Sequence, residues 1–344
     1  MNYKIAVVTP IEHSDFLTDT VLHGLSDLKK EHPTLSFFYP DDFPTADPYP
    51  FAADKGFLKD VRLPRRELEA FAKTADLVIL CYGKGDTTDV ALVERIGGWQ
   101  KTVYIDGSET GKDRWRDADV QMQIIDGTYT GLGAPDLRIA KLAKLYFRRE
   151  KPYSGSIVPF PFGIETRFSK YVGVKKDIDF ACMFGQDGFP KARQYVKILL
   201  EKFCKKNRFT CHTGTTHILP IHKGPISQEK YHQIWARAKV GVSVGGGGYD
   251  TRRFWEILGN NCLLLTERID IYHPDSRELR FKRVYEYNNL HDFEYQLQKV
   301  GEFLRSGYRQ EDLDEEYTEI LARHGAKARV LTILAEARKR TVIQ

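Results

Sequence analysis

The residues best suited to chemistry lie in one short stretch, residues 240–256. The stretch begins with residues that predict a buried strand and continues with four consecutive glycines. The residues after the glycines predict the start of a helix, which Asp250 or Thr251 can cap. Glycines let a backbone approach a ligand closely, and a helix N-terminus offers unpaired N–H groups and partial positive charge to an anion. Arg252 and Arg253 fall in that first turn, where the helix dipole slightly disfavours cations. Their presence therefore indicates an anionic ligand such as a diphosphate, and Glu256 follows one turn later.

The glycine run matches neither the GxGxxG nor the GxxxxGK[ST] pattern, so the standard dinucleotide and P-loop motifs do not apply. Four glycines alone also fit a plain flexible turn. The two arginines and the carboxylate that follow a buried strand favour a phosphate and sugar site, because ligands of open α/β folds bind at the carboxyl edge of the strands.

Loops after the predicted N-terminal strands offer candidates for a general base, which must reach the hydroxyl that it deprotonates. These candidates are Glu12, His13, Asp15, Asp86, Asp106 and Glu109. His13, after the first strand, and Asp106, after the fourth, are the two that we carry forward as catalytic. Their alternatives are a capping or exposed histidine and a carboxylate that caps a turn.

No metal or cofactor is expected. The histidines of the second half are His212, His217, His222 and His232. They lack the helical i, i+4 spacing of zinc ligands, and no nearby Cys or Asp set completes a site. Tyr231 and Trp235 in the same region fit a core better than a surface that stacks on a nucleobase.

Strands alternate with helices along the chain, which is typical of parallel sheets with helical crossovers. We expect strands at 5–9, 35–39, 77–81, 102–105, 178–184, 240–244, 262–266 and 283–287. The extended Pro- and Gly-containing segment 157–164 predicts a linker. The expected domains are 1–157, 158–320 and a C-terminal helix, 321–344, within a helical tail. The basic run 148–151 is expected to be a solvated helix end.

Composition supports two globular domains. The length of 344 residues suits two cores. A net charge of +5 suits an anionic ligand such as a nucleotide diphosphate, and no concentrated basic stripe indicates nucleic acid. Five widely spaced cysteines argue against a disulfide framework. With neither a signal peptide nor a long apolar run, the protein is expected to be cytoplasmic, without a transmembrane segment.

Three segments resemble CgeB-like glycosyltransferases, a family within the group-1 GT-B transferases. Residues 250–267 resemble the R-x-F-E-(short helix)-G-x-x-L-L-(T/S) signature. Residues 161–168 resemble the P-x-G-(V/I)-(D/E)-x-x-x-F interdomain segment. Phe184 and Gly185, followed by Lys191, resemble the opening of the donor domain. The resemblance covers residues 157–305. It implies two Rossmann-like α/β domains facing a cleft, a terminal helix that crosses back to the first domain, and metal-independent transfer of a sugar from a nucleoside diphosphate.

The resemblance also implies roles for individual residues. Glu256 would hold the donor ribose hydroxyls, and Arg253 would face the diphosphate. The first Glu of the wider family's E-x7-E motif falls at Gly248, so Asp250 becomes a substitute and a further catalytic candidate. This departure leaves retaining and inverting stereochemistry both open. The whole expected donor site comprises Gly185, Lys191, Arg193, Gly246, Gly247, Gly248, Tyr249, Asp250, Arg252, Arg253 and Glu256.

Three other functions remain open. A nucleotide-sugar epimerase would process the donor without an acceptor, and a non-catalytic module would bind nucleotide without turnover. A transferase acting on modified nucleic acid would show salt-sensitive DNA binding. The acceptor implied by the resemblance is a carbohydrate or glycoconjugate.

Overall fold

The structure is a computed structural model. It describes residues 1–9, 16–42, 58–82, 90–109, 118–126, 128, 133–150, 156–169, 172–184, 190–215, 228–269, 271–272 and 276–344. The chain divides into two compact units. The first comprises Met1–Gly163 together with Ala326–Gln344, and the second comprises Ile164–Gly325.

The first unit is built on a parallel sheet. Its described strands are β1 (Lys4–Val8), β2 (Ser36–Pro40), β3 (Arg62–Leu63), β4 (Leu77–Tyr82), β5 (Thr102–Asp106), β6 (Leu145–Arg148) and β7 (Ile157–Pro159). They lie side by side in the order β3-β2-β1-β4-β5-β6-β7. The helices between them are α1 (Phe16–Glu31), α2 (Arg65–Thr74), α3 (Val90–Arg95), α4 (Ala118–Ile125) and α5 (Leu137–Leu142). Every residue of β5 is buried, as expected for a parallel strand that is covered on both faces.

The second unit has a parallel sheet of the same kind. Its described strands are β8 (Ile178–Phe184), β9 (Cys211–Thr215), β10 (Ala238–Ser243), β11 (Leu263–Glu267) and β12 (Val284–Tyr287). Its helices are α6 (Ala192–Asn207), α7 (Gln228–Arg237), α8 (Arg252–Gly259), α9 (Leu290–Ser306) and α10 (Asp314–His324). The order of the strands is β12-β11-β10-β8-β9. The chain turns from one side of β8 to the other between β9 and β10, so the switch point, where such sheets bind ligands, lies at the carboxyl edge between β8 and β10.

The last helix of the chain, α11 (Ala326–Lys339), belongs to the first unit, as the resemblance implies. It packs against α1 at Gly24, where a Cβ would lie only 2.2 Å from the carbonyl oxygen of Ala326. The expected continuous helical tail is wrong in one respect. Helix α10 ends at His324, because Gly325 takes an extended conformation (φ −62°, ψ 154°) before α11 begins.

The prediction of a solvated helix end at 148–151 is also wrong for 148–150, the part that the structure describes. Arg148 is the last residue of β6 and is completely buried, and Arg149 and Glu150 are buried as well. The charge is tolerated because β6 places Arg148 opposite Asp106 on β5, and the two form an ion pair. The predicted linker begins as β7, the edge strand of the first sheet. None of the described helices has the length and apolar character required to cross a membrane.

Candidate functional site

The glycines at 245–248 follow β10 after one residue, Val244, at the carboxyl edge of the second sheet. The Gly245 N–H donates to the carboxylate of Glu267 at 3.0 Å, and the Gly246 N–H donates to the Gly248 carbonyl at 2.9 Å. Because Glu267 ends the neighbouring strand β11, the loop is a closed turn held by a carboxylate of the same sheet edge. Gly246, Gly247 and Tyr249 are its partly exposed positions.

Arg193 reaches this loop from the other side of the switch point. It lies in the first turn of α6, the helix that follows β8. Its Nη2 lies 3.0 Å from the position that a Cβ on Gly246 would occupy, and its guanidinium lies over the Phe184 ring at 5.2 Å. The structure thus brings together Arg193 and Gly246, two predicted donor-site residues that are distant in sequence. Lys191 is the exposed N-cap residue of α6.

The arginines of α8 are engaged by carboxylates of the second unit. Arg252 Nη2 lies 3.1 and 3.2 Å from the two carboxylate oxygens of Glu165, and Arg253 Nη1 lies 2.5 Å from Glu256 Oε2. Both arginines are 6% exposed. Buried guanidinium groups require such partners, because a desolvated charge without a counter-charge is costly. The protein itself therefore supplies anions to both guanidinium groups, and their predicted contact with a diphosphate stays a prediction.

Glu256 on α8 is an enclosed carboxylate, with 1% of its surface exposed. Its Oε2 accepts hydrogen bonds from the Tyr231 hydroxyl at 2.6 Å and from Arg253. Its Oε1 is buried without a hydrogen-bond partner among the described residues, and Arg252 Nε is 3.8 Å away. A buried acceptor of this kind normally bonds to water or to a ligand.

Asp250 and Thr251 fix the start of α8. Asp250 is fully buried, and its Oδ1 accepts a hydrogen bond from Trp255 Nε1 at 2.7 Å. Thr251 is the extended N-cap residue, and its hydroxyl lies 3.3 Å from that of Ser243 rather than capping the helix. Asp250 therefore anchors the helix to the glycine loop, whereas its predicted catalytic role stays a prediction.

In the first unit, Asp106 is held by three donors. These are the Tyr146 hydroxyl at 2.6 Å, the Ser108 N–H at 2.8 Å and the guanidinium of Arg148. Burial, and then the negative charge of Asp106, raise the pKa of Tyr146 well above its ordinary value of 10.0. These contacts fit a structural ion pair, and the predicted role of Asp106 as a general base stays a prediction. His13 and Gly185 lie outside the described residues.

Two further residues of the site, Glu165 and Glu267, were not singled out in the sequence, and a third, Tyr231, was expected only as a core residue. Glu165 belongs to the 161–168 segment, and its acidic character there was the only available signal. Glu267 directly follows the strand predicted at 262–266 and is the last residue of the observed strand β11. Tyr231 is buried as expected for a core residue, yet its hydroxyl also holds Glu256.

Several solved structures share this architecture, although no known family model and no curated protein matches the sequence. One is an α-glucosyltransferase in complex with UDP and a 13-mer DNA containing a HMU base. It is 9% identical, the match covers 98% of this chain and 99% of that chain, and the TM-score is 0.57. A glycosyltransferase from Rickettsia africae ESF-5 is 8% identical over 99% of both chains, with a TM-score of 0.59.

A third similar structure is S. aureus MnaA with UDP. It is 14% identical, covers 99% of this chain and 98% of that chain, and has a TM-score of 0.52. These likenesses span nearly the whole chain, so they confirm the predicted fold class. The chain has the GT-B fold, with two Rossmann-like α/β units.

Proposed function

We propose that this protein is a glycosyltransferase that moves a sugar from a nucleoside diphosphate to an acceptor hydroxyl, and that it is CgeB-like. The observation that carries the proposal is the approach of Arg193 to Gly246 at the switch point between β8 and β10. A cation, a glycine turn and the start of a long helix meet there. That combination suits a diphosphate, which needs both close backbone approach and positive charge.

The diphosphate would lie over Gly246 and Gly247, with its oxygens directed towards Arg193 and the N-terminus of α6. Lys191, exposed at the start of the same helix, would add charge near the outer phosphate. As the sugar leaves, negative charge grows on the diphosphate. Groups that are already in place to meet this charge lower the barrier, so the proposed reaction requires no divalent cation.

The nucleoside would be recognised through Glu256. Its buried Oε1 is the oxygen that a ribose hydroxyl would satisfy, while Tyr231 and Arg253 hold Oε2 in place. We propose uridine as the base, because the solved structures of similar fold include two with bound UDP. A ribose contact also requires ligand access to Glu256, which is 1% exposed.

The acceptor is proposed to be a carbohydrate or glycoconjugate. The catalytic candidates remain His13, Asp106 and Asp250. Asp106 and Asp250 are the less suited to accept a proton, because Arg148 donates to Oδ2 of Asp106 and Trp255 donates to Oδ1 of Asp250. His13 is therefore the first residue to change in a search for the base.

Calorimetric titration with UDP, GDP, ADP and dTDP tests the donor site. One diphosphate series is expected to bind wild-type protein and to lose about tenfold to a hundredfold in affinity in Arg193→Gln. This loss corresponds to about 1.5–3 kcal/mol for a hydrogen bond to a charged group. Lys202→Gln is the matched control, because it removes one exposed positive charge from the same helix. No binding of any nucleotide, or equal losses in both variants, contradicts the proposal.

Turnover assays then separate the remaining functions. A transferase releases free nucleotide diphosphate only when an acceptor is present, and chelator does not stop it. An epimerase changes the sugar while it stays on the nucleotide, and a non-catalytic module binds without any product. Transfer to DNA bearing hydroxymethylated bases, together with salt-sensitive DNA binding, would replace the carbohydrate acceptor with nucleic acid.

A further inference from the structure

Two cysteines face each other where α6 passes into the edge strand β9. The sheet register pairs Cys211 with Phe180, and in parallel neighbours paired side chains point to the same face. That face is the one covered by α6, because Phe180 and Cys204 belong to the same core cluster. One turn before Cys204, Glu201 accepts a hydrogen bond from Thr213, two residues beyond Cys211 on β9. The same side of α6 thus faces the same side of β9 at two places, at Cys204 with Cys211 and at Glu201 with Thr213.

The side chains of Cys204 and Cys211 pack in the same core cluster, and a hydrogen bond between them shifts the pKa of both thiols. A tight turn connects them, in which Arg208 has the left-handed φ of 59° and the Phe209 N–H donates to the Cys204 carbonyl at 3.0 Å. Cys204 is buried and Cys211 is partly exposed. Cys81, Cys182 and Cys262 are buried.

We propose that Cys204 and Cys211 form a redox modification site at which a hydroperoxide converts the two thiols into an intramolecular disulfide. The Cys211 thiolate attacks one peroxide oxygen, the O–O bond breaks, and hydroxide departs. Cys211 is then a sulfenic acid. The Cys204 sulfur then attacks the Cys211 sulfur, the S–O bond breaks, and water leaves. In total, two thiols and one hydrogen peroxide give one disulfide and two waters, and a dithiol reductant reverses the oxidation.

The surroundings assign different roles to the two sulfurs. The hydrogen bond from Cys204 lowers the pKa of the Cys211 thiol, and Cys211 is also the member that solvent reaches. The same hydrogen bond, and then burial, raise the pKa of Cys204. Thiolate character and exposure determine which cysteine reacts first with an oxidant. Cys211 is therefore the attacking cysteine, and Cys204 is the resolving one.

Peptide mapping of the native, full-length wild-type chain tests this site. Lys205, Lys206 and Arg208 lie between the two cysteines, so trypsin places them on separate peptides unless a disulfide joins them. After hydrogen peroxide treatment and alkylation, we expect a linked pair of peptides and loss of two of the five thiols. Dithiothreitol should restore both thiols, and Cys81, Cys182 and Cys262 should remain alkylatable after unfolding.

Two variants check the order of events. Cys204→Ser should stop at a sulfenic acid on Cys211 that dimedone captures, and Cys211→Ser should leave Cys204 unoxidised. Retention of all five thiols by wild-type protein, or linkage of either cysteine to a third, would overturn the proposal. The wild-type measurement depends neither on the folding of a variant nor on the proposed glycosyl transfer.

Discussion

Removing the Glu256 carboxylate is expected to destabilise the second unit strongly. Glu256→Ala would leave Arg253, which is 6% exposed, without its partner at 2.5 Å and would also remove the carboxylate to which the Tyr231 hydroxyl donates. Breaking a buried ion pair from one side typically costs about 3–5 kcal/mol. For a domain of roughly this size, each kcal/mol lowers Tm by about 2–4 °C, so we expect a fall of about 6–20 °C. Differential scanning calorimetry is the suitable assay, because two units can unfold in separate transitions.

A second variant separates the cost of an unpaired charge from the cost of an empty space. Combining Arg253→Met with Glu256→Leu replaces the pair with apolar side chains, which is often neutral or even stabilising. The double variant should therefore be more stable than Glu256→Ala, while Tyr231→Phe should cost only about 1 kcal/mol. The reasoning is refuted if Glu256→Ala unfolds within about 0.5 kcal/mol of wild type, the range of an ordinary surface change.

This expectation determines how Glu256 can be used in binding experiments. Loss of nucleotide affinity in Glu256→Ala has two explanations, a missing ribose contact and a disordered α8. Arg193 is the better probe, because it is partly exposed and lies at the edge of the loop rather than in the buried network. The nucleotide affinity of Glu256→Ala reports on the ribose contact only if this variant keeps the wild-type thermal transition of the second unit.

Three further predictions concern other parts of the chain. Gly24→Ala should lower the free energy of unfolding in urea by about 1–3 kcal/mol. The new Cβ would lie 2.2 Å from the backbone oxygen of Ala326, which cannot move aside as a side chain can. An unchanged urea midpoint contradicts this prediction. Arg148→Met should cost about 3–5 kcal/mol in calorimetry, because Asp106 would remain buried without its counter-charge, and a loss below about 1 kcal/mol contradicts a structural ion pair. Burial, and then nearby cationic side chains, lower the pKa of His212 below 6.5 in the folded protein. As the pH falls, the unfolded chain therefore binds more protons at His212 than the folded chain does. The folding stability that His212 contributes is present above about pH 6.5 and is lost as the pH falls. His212→Asn should flatten the profile of stability against pH in that range, and an unchanged slope would exclude this contribution.

Local patterns in the sequence were sufficient for the strands with continuous apolar runs, but not for the whole of either sheet, since β3, β6, β7 and β9 were not predicted. Strand β8 has the predicted bounds, and β5 differs from its prediction by one residue, because continuous apolar runs between turn signals are a local property. Whether a charged side chain is buried depends on residues that are distant in sequence, so local patterns do not predict it. Arg148 was expected to be solvated because its neighbours in sequence are charged, and only the pairing of β6 with β5 supplies Asp106. Strand β9 was not predicted, since its sequence, CHTGT, has little apolar character.

The arginines of α8 show the same limit at the candidate site. Two cations in the first turn of a helix are disfavoured by the helix dipole, and from this the sequence predicts a nearby anion such as a diphosphate. It could not identify the source, because Glu165 is distant in sequence and satisfies Arg252 within the protein. The charge that approaches the glycine loop comes instead from Arg193 on α6. Nucleotide affinity should therefore respond to Arg193→Gln even while the thermal transition of the second unit is retained, whereas Arg252→Gln should lower that transition first.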